Sequence, residues 1–129
     1  MTMQVELVSP ERILYSGEAD MVIARTVGGG EIAFLTGHAP FVGALDIATV
    51  TIRAAAGDET VAVHGGFVEV SHDTVTILSD VAELASQIDV ERARTARDRA
   101  EQQNQHEHDA EAEASARRAH VRLAAVGAT

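Results

Sequence analysis

From Met3 to Ser79 short β-branched runs alternate with Gly, Asp and Pro breaks. The runs are Gln4 to Val8, Met21 to Ala24, Glu31 to Phe34, Ile47 to Ile52, Val61 to Val63, Phe67 to Val70 and Val75 to Leu78. Several alternate apolar and polar residues with period two, as strands with one buried face must. Gly57-Asp58 and His72-Asp73 stand where hairpin turns belong, and Gly65-Gly66 predicts a bulge or a sharp corner between two strands. Seven or eight short strands at this spacing predict an antiparallel β-sandwich or flattened barrel.

Beyond Leu84 the period changes. Asp89 is placed to cap a helix from Val90 to about Gln103, with Glu91 in its first turn and Ala93, Ala96 and Ala100 on one stripe. The segment Asn104 to His108 has no apolar period and predicts a connector. A second helix, about Asp109 to Ala125, brings Ala112, Ala116, Ala119 and Leu123 to one face. The expected architecture is therefore α+β: a β-sandwich over residues 1–85, then a two-helix α-hairpin over 86–129. Alanine methyls bury little apolar surface, and the gain scales at roughly 25 cal/mol per Å². Such a seam predicts a tail with two accessible arrangements, and a hairpin fixed on the sandwich is the alternative.

Charge sharpens this division. The chain has 129 residues and a formal charge of -10, with no lysine and no cysteine. Residues 1–88 hold twelve Asp/Glu against three Arg, whereas residues 89–129 hold eight against seven. An acidic first part repels phosphate backbones and anionic headgroups, which argues against nucleic acid and against direct membrane insertion. With Tyr15, Phe34, Phe41 and Phe67 as the only aromatics, a base-stacking platform is equally hard to build. The lack of cysteine removes disulfides, thiolate metal sites and cysteine nucleophiles, and fits a reducing compartment. No secretory signal and no membrane-spanning run is expected.

The chemically suggestive motifs are incomplete. Gly28-Gly29-Gly30 lacks the frame of a phosphate loop and is followed by Glu31. His64-Gly65-Gly66-Phe67 has the look of a lipase oxyanion loop without a GxSxG elbow. Ser71-His72-Asp73 spells a triad that adjacent residues cannot form. His106-x-His108 would turn its imidazoles roughly 200° apart on a helix. No catalytic residue and no metal site is expected.

Three segments carry a resemblance. Gly30 to Phe41, reading GEIAFLTGHAPF, resembles the GELGILPGHAPL loop of the epsilon subunit of bacterial F-type ATP synthases. Val63 to Val70 with Val75 to Asp80 is similar to that family's GGFLEV strand followed by VTVLAD. Ile88 to Ala93, reading IDVERA, is similar to its [I/L]DxxRA motif. The resemblance implies a ten-stranded sandwich and a helical tail in a non-catalytic rotor subunit of the central stalk. It further implies docking on the gamma subunit and the c-subunit ring, and a tail that extends to the alpha/beta catalytic head to restrain ATP hydrolysis. The subunit would lie peripherally at the cytoplasmic face of the bacterial membrane.

Two residue sets follow from the resemblance. Glu31 and His38 fall on the loop facing the c ring. Glu83, Ile88, Asp89, Arg92 and Ala93 correspond to a motif that binds a regulatory ATP in some members, with Arg118 and Arg122 as the second-helix phosphate ligands. No cofactor is required. Ala33 and Thr36 depart from the usual Gly and Pro of the loop. Two rival readings are a stand-alone β-sandwich enzyme using His64 or His38 as base, and a free ATP-sensing regulatory module.

Overall fold

The computed structural model describes residues 1–106 and 110–128, without the side chains of 104–106. Eight strands come first: β1 (Met3–Val8), β2 (Ile13–Ala19), β3 (Met21–Thr26), β4 (Gly30–Leu35), β5 (Phe41–Ala54), β6 (Gly57–Ser71), β7 (Thr74–Leu78) and β8 (Ala82–Leu84). A 3-10 turn (Ala85–Gln87) leads to helices α1 (Val90–His106) and α2 (Ala110–Ala125).

The strands form one sheet in the order β2-β1-β7-β6-β5-β3-β4, with β8 added against β6. Met3, Val5 and Leu7 near one end and Phe34 at the other belong to a single buried cluster with Val22, Leu45, Ile52, Val63, Val68 and Ile77. The sheet therefore rolls over itself so that both ends face one core. Alternation places these residues: β1, β3 and β7 bury every second side chain.

The sandwich has the eight strands that the run spacing predicts, against ten by the resemblance, and departs from the antiparallel expectation in direction. Strands β5 and β6, with 14 and 15 residues, each run continuously through a bend. Beyond the bend β6 also changes neighbour, from β8 at Val61–Val63 to β7 at Phe67–Ser71. The sheet is mixed, since β1 and β7 pair in parallel while the other pairs are antiparallel. Side-chain alternation is the same for either direction, so the sequence pattern carried no sign of it.

Glycine makes the bend. Gly65 and Gly66 have φ +87 and +122, and a Cβ on Gly66 would overlap the Leu78 carbonyl. Buried Ser79 completes the corner, its hydroxyl within 2.8 Å of the Gly65 carbonyl oxygen and 2.9 Å of that of Val81. The β6–β7 hairpin turns at His72 and Asp73, both left-handed at φ 51 and 55, which is a type I′ turn. The β5–β6 turn falls on Ala55 and Ala56, two residues before the expected Gly57-Asp58, and Gly57 follows at φ +129.

In the tail, Asp89 caps α1: its Oδ1 accepts from the Arg92 backbone N–H at 3.1 Å. Helix α1 continues to His106, so its end overlaps the expected connector, whose remaining residues lie outside those described. The His106/His108 pair likewise falls outside the described side chains. Ala93 and Ala100 of α1 and Ala112, Ala119, Leu123 and Ala125 of α2 are buried. A Schellman motif ends α2, with Ala128 N–H bonding to Leu123 O and Gly127 N–H to Ala124 O around the left-handed Gly127.

Helix α2 packs on β5 and β6. That explains the run Val61-Ala62-Val63, buried throughout: Val61 and Val63 point into the core, and Ala62 points outward beneath the helix.

Candidate functional site

The expected nucleotide residues come from three elements. Strand β8 carries Glu83, the start of α1 carries Asp89, Arg92 and Ala93, and α2 carries Arg122. They meet around a cleft of about 340 Å³, lined also by Gln87 and Ala96. The convergence depends on the hairpin, because only the docked α2 brings Arg122 to β8.

Inside the cleft, Arg122 Nε donates to Glu83 Oε1 at 2.6 Å. The same oxygen lies 3.0 Å from His64 Nε2. Among the described residues, the Arg92 guanidinium has no carboxylate partner. Two carboxylates and two guanidiniums line one cavity, so an entering anion meets Arg92 directly and must compete with Glu83 for Arg122. Arginine suits phosphate oxygens because its planar fork donates in pairs.

Two of the expected residues stand apart from this cleft. Arg118 turns along its own helix to Glu111 at 2.8 Å and Ser115 at 3.0 Å, because its position sits one turn short of the cleft mouth. Ile88 is half-buried at the end of the 3-10 turn, with its N–H on the Ala85 carbonyl. Asp89 meets Arg92 through the backbone N–H of the helix cap rather than through the guanidinium.

Sequence reasoning named His64 only as the base of a rival enzyme and missed its contact with Glu83; its side chain is 4% exposed. A signal existed: with Val61 and Val63 pointing inward, position 64 falls on the outer face with Ala62, the face α2 covers. Burial, the strongest influence, lowers the His64 pKa; the hydrogen bond to Glu83 opposes it, and the charges of Arg122 and Arg118 lower it further. For Glu83, burial works upward, but hydrogen bonds from Arg122 and His64 carry its pKa below the ordinary value.

The expected ring-facing pair is divided. His38 lies in the turn after β4, its Nδ1–H on the Ala39 carbonyl at 2.7 Å and its ring edge-on to Phe34 at 5.0 Å. Asp73 braces this turn by accepting from Gly37 N–H at 2.7 Å. Glu31 does not share the loop as expected. It sits near the start of β4 opposite Arg25, in a hollow it forms with Arg117 and His120 of α2. The strand begins at Gly30, and the stretch from Glu31 to Leu35 alone spans about 13 Å.

No helix among the described residues is long and apolar enough to cross a membrane. The architecture is that of a rolled β-sandwich followed by a two-helix hairpin, with carboxylates and guanidiniums meeting where the hairpin docks. The family "ATP synthase, Delta/Epsilon chain, beta-sandwich domain" matches residues 2–85.

The chain belongs to the ATP synthase epsilon-chain family. It is 54% identical over 102 residues to the ATP synthase epsilon chain of Brevibacillus brevis, covering 78% of this chain and 76% of that one. With the epsilon chain of Streptomyces griseus it shares 46% identity over 125 residues, 96% and 94% of the two chains. The epsilon chain of Streptomyces avermitilis is 45% identical over 127 residues, 98% and 96% of the two.

Solved structures share the fold. A chain in the cryo-EM structure of Euglena gracilis mitochondrial ATP synthase, OSCP/F1/c-ring, matches with TM-score 0.73 and 22% identity, over 95% of this chain and 75% of that one. One in the central stalk/c-ring structure of Tetrahymena thermophila mitochondrial ATP synthase matches with TM-score 0.53 and 20% identity, over 73% and 71%.

Proposed function

We propose that this chain is a rotor subunit of the central stalk of an F-type ATP synthase, coupling proton-driven rotation to ATP synthesis. On this reading it has no catalytic activity of its own and lies peripherally at the cytoplasmic face of the membrane. The sandwich docks on the gamma subunit and the c-subunit ring, with the His38 loop as the ring contact. Family membership supports the reading, as do the structural neighbours, which occur in ATP synthase stalk and c-ring assemblies.

The helical tail is the restraint on ATP hydrolysis, lying on the sandwich or extending to the alpha/beta head. The observation that carries this is how little holds it. Among the described residues, mostly alanine fills the seam, and the ion pairs Arg117–Asp46 and Arg122–Glu83, both at 2.6 Å, tie α2 to the sandwich. Partly exposed pairs of this kind contribute at most about 1 kcal/mol each. ATP is the regulatory ligand at the Arg92/Arg122 cleft, and it favours the docked state because only docking assembles the cleft.

The test is a chain ending at Ser86, assembled with the remaining subunits. Assembly and ATP synthesis should persist while ATP hydrolysis rises. Unchanged hydrolysis would remove the restraint.

A further inference from the structure

We propose that His64 makes docking of the hairpin proton-dependent, the tail being held at neutral pH and released as the imidazole takes up a proton. This deepens the tail's proposed role as a restraint and rests on that reading for its physiological meaning.

The geometry begins with one oxygen. Glu83 Oε1 serves both His64 Nε2, at 3.0 Å, and Arg122 Nε, at 2.6 Å. To bond a carboxylate, Nε2 must carry a hydrogen, so the neutral ring presents a bare Nδ1. That atom is buried and has no hydrogen-bond partner. A second N–H there would lack an acceptor, which costs more than an idle lone pair. Protonation would also set a second cation on the oxygen that already holds Arg122.

The charges around the ring reinforce this. Glu83 on β8 favours the proton, while Arg122 and Arg118 on α2 oppose it. On β5, Asp46 is engaged by Arg117. Asp80, after β7, borders a neighbouring hollow that His64 also lines. When α2 leaves, both arginines leave with it, water reaches Nδ1, and Glu83 stays behind. Proton uptake is then favoured.

The sign follows from linkage. Docking holds the imidazole below its ordinary pKa of 6.5. Its contribution to docking is complete above the ordinary value and is lost as pH falls toward the docked value. The ratio of docked to released tail falls by up to about tenfold per pH unit within that window. Glu83, whose pKa is also lowered in the docked state, adds a loss of the same sign below 4.5.

The chain has no cysteine, so spin labels at Ala56→Cys and Ala124→Cys report the distance between the sandwich and α2 in the full chain. From pH 8 to 5.5 the short-distance population should fall. His64→Gln retains a donor for Glu83 but takes no proton, and should make the population constant. His120→Gln should leave the response in place, because the His120 side chain pairs within the hairpin, with Glu101 of α1 at 3.2 Å.

A pH-independent wild type, or an unchanged response in His64→Gln, overturns the proposal. Should that variant fail to fold, the His64 ring in the wild type is titrated by NMR, and a value at or above the ordinary one while docked overturns it equally. Docking is read on the isolated chain and hydrolysis on the assembled enzyme, so either reading can fail without the other.

Discussion

At position 66 the backbone leaves no room for a side chain. Its φ of +122 is a conformation L-residues rarely adopt, and an added Cβ would overlap the Leu78 carbonyl. Gly66→Ala should therefore destabilise the sandwich by about 3 kcal/mol or more, read as a lower urea midpoint in chemical denaturation. Gly17, in β2, has a normal backbone conformation, and an added Cβ would meet only the Tyr15 ring at 3.4 Å or beyond, so Gly17→Ala should cost much less.

The Gly65-Gly66 corner was legible because two adjacent glycines weaken a strand unless the chain bends there. Asp73's brace on Gly37 was not, since it joins residues 36 positions apart. The same holds for His64, whose partner Glu83 sits on a strand too short to show a period.

Among the elements, the long periodic ones were predicted and the short or aperiodic ones were not. Strand β2 escaped because only Ala19 of its seven residues is fully buried, so no alternation marks it. The start of α1 and the end of α2 were legible from Asp89 and the alanine period. The α1 C-terminus was not, because polar Asn and Gln continue a helix without an apolar stripe.

Leu123 is the largest fully buried side chain of the hairpin. Leu123→Ala should cost about 2–4 kcal/mol. Because the core cluster of the sandwich does not include it, the loss should fall on the tail. Hydrogen exchange would speed up across α1 and α2 and stay slow in β1, β6 and β7. Equal acceleration in both parts would mean that hairpin and sandwich unfold as one unit.

For the whole molecule, assembling the Arg92/Arg122 cleft requires sandwich, α1 and α2 together. A ligand bound there therefore stabilises the docked arrangement by mass action. ATP from micromolar to millimolar should raise the melting temperature of the full chain, and Arg92→Ala should abolish the rise. A flat titration, or an equal response in the variant, would remove the nucleotide site. Convergence at this scale was only partly readable. The family motif nominated residues that the fold brings around one cleft, but which of the two α2 arginines arrives depends on the helix rotation fixed by burying Ala119 and Leu123.

The buried outward face around Ala62 has a consequence for what remains when the hairpin departs. The floor under α2 is made by Ala62 with half-buried Ile47 and Thr49, rather than by Leu or Phe. Stripping the helix away would bare small and polar groups, the His64 imidazole among them, rather than a broad patch of large apolar side chains. Uncovering this face adds little to the apolar surface of the sandwich, which favours a reversible cycle of leaving and returning over a step toward aggregation.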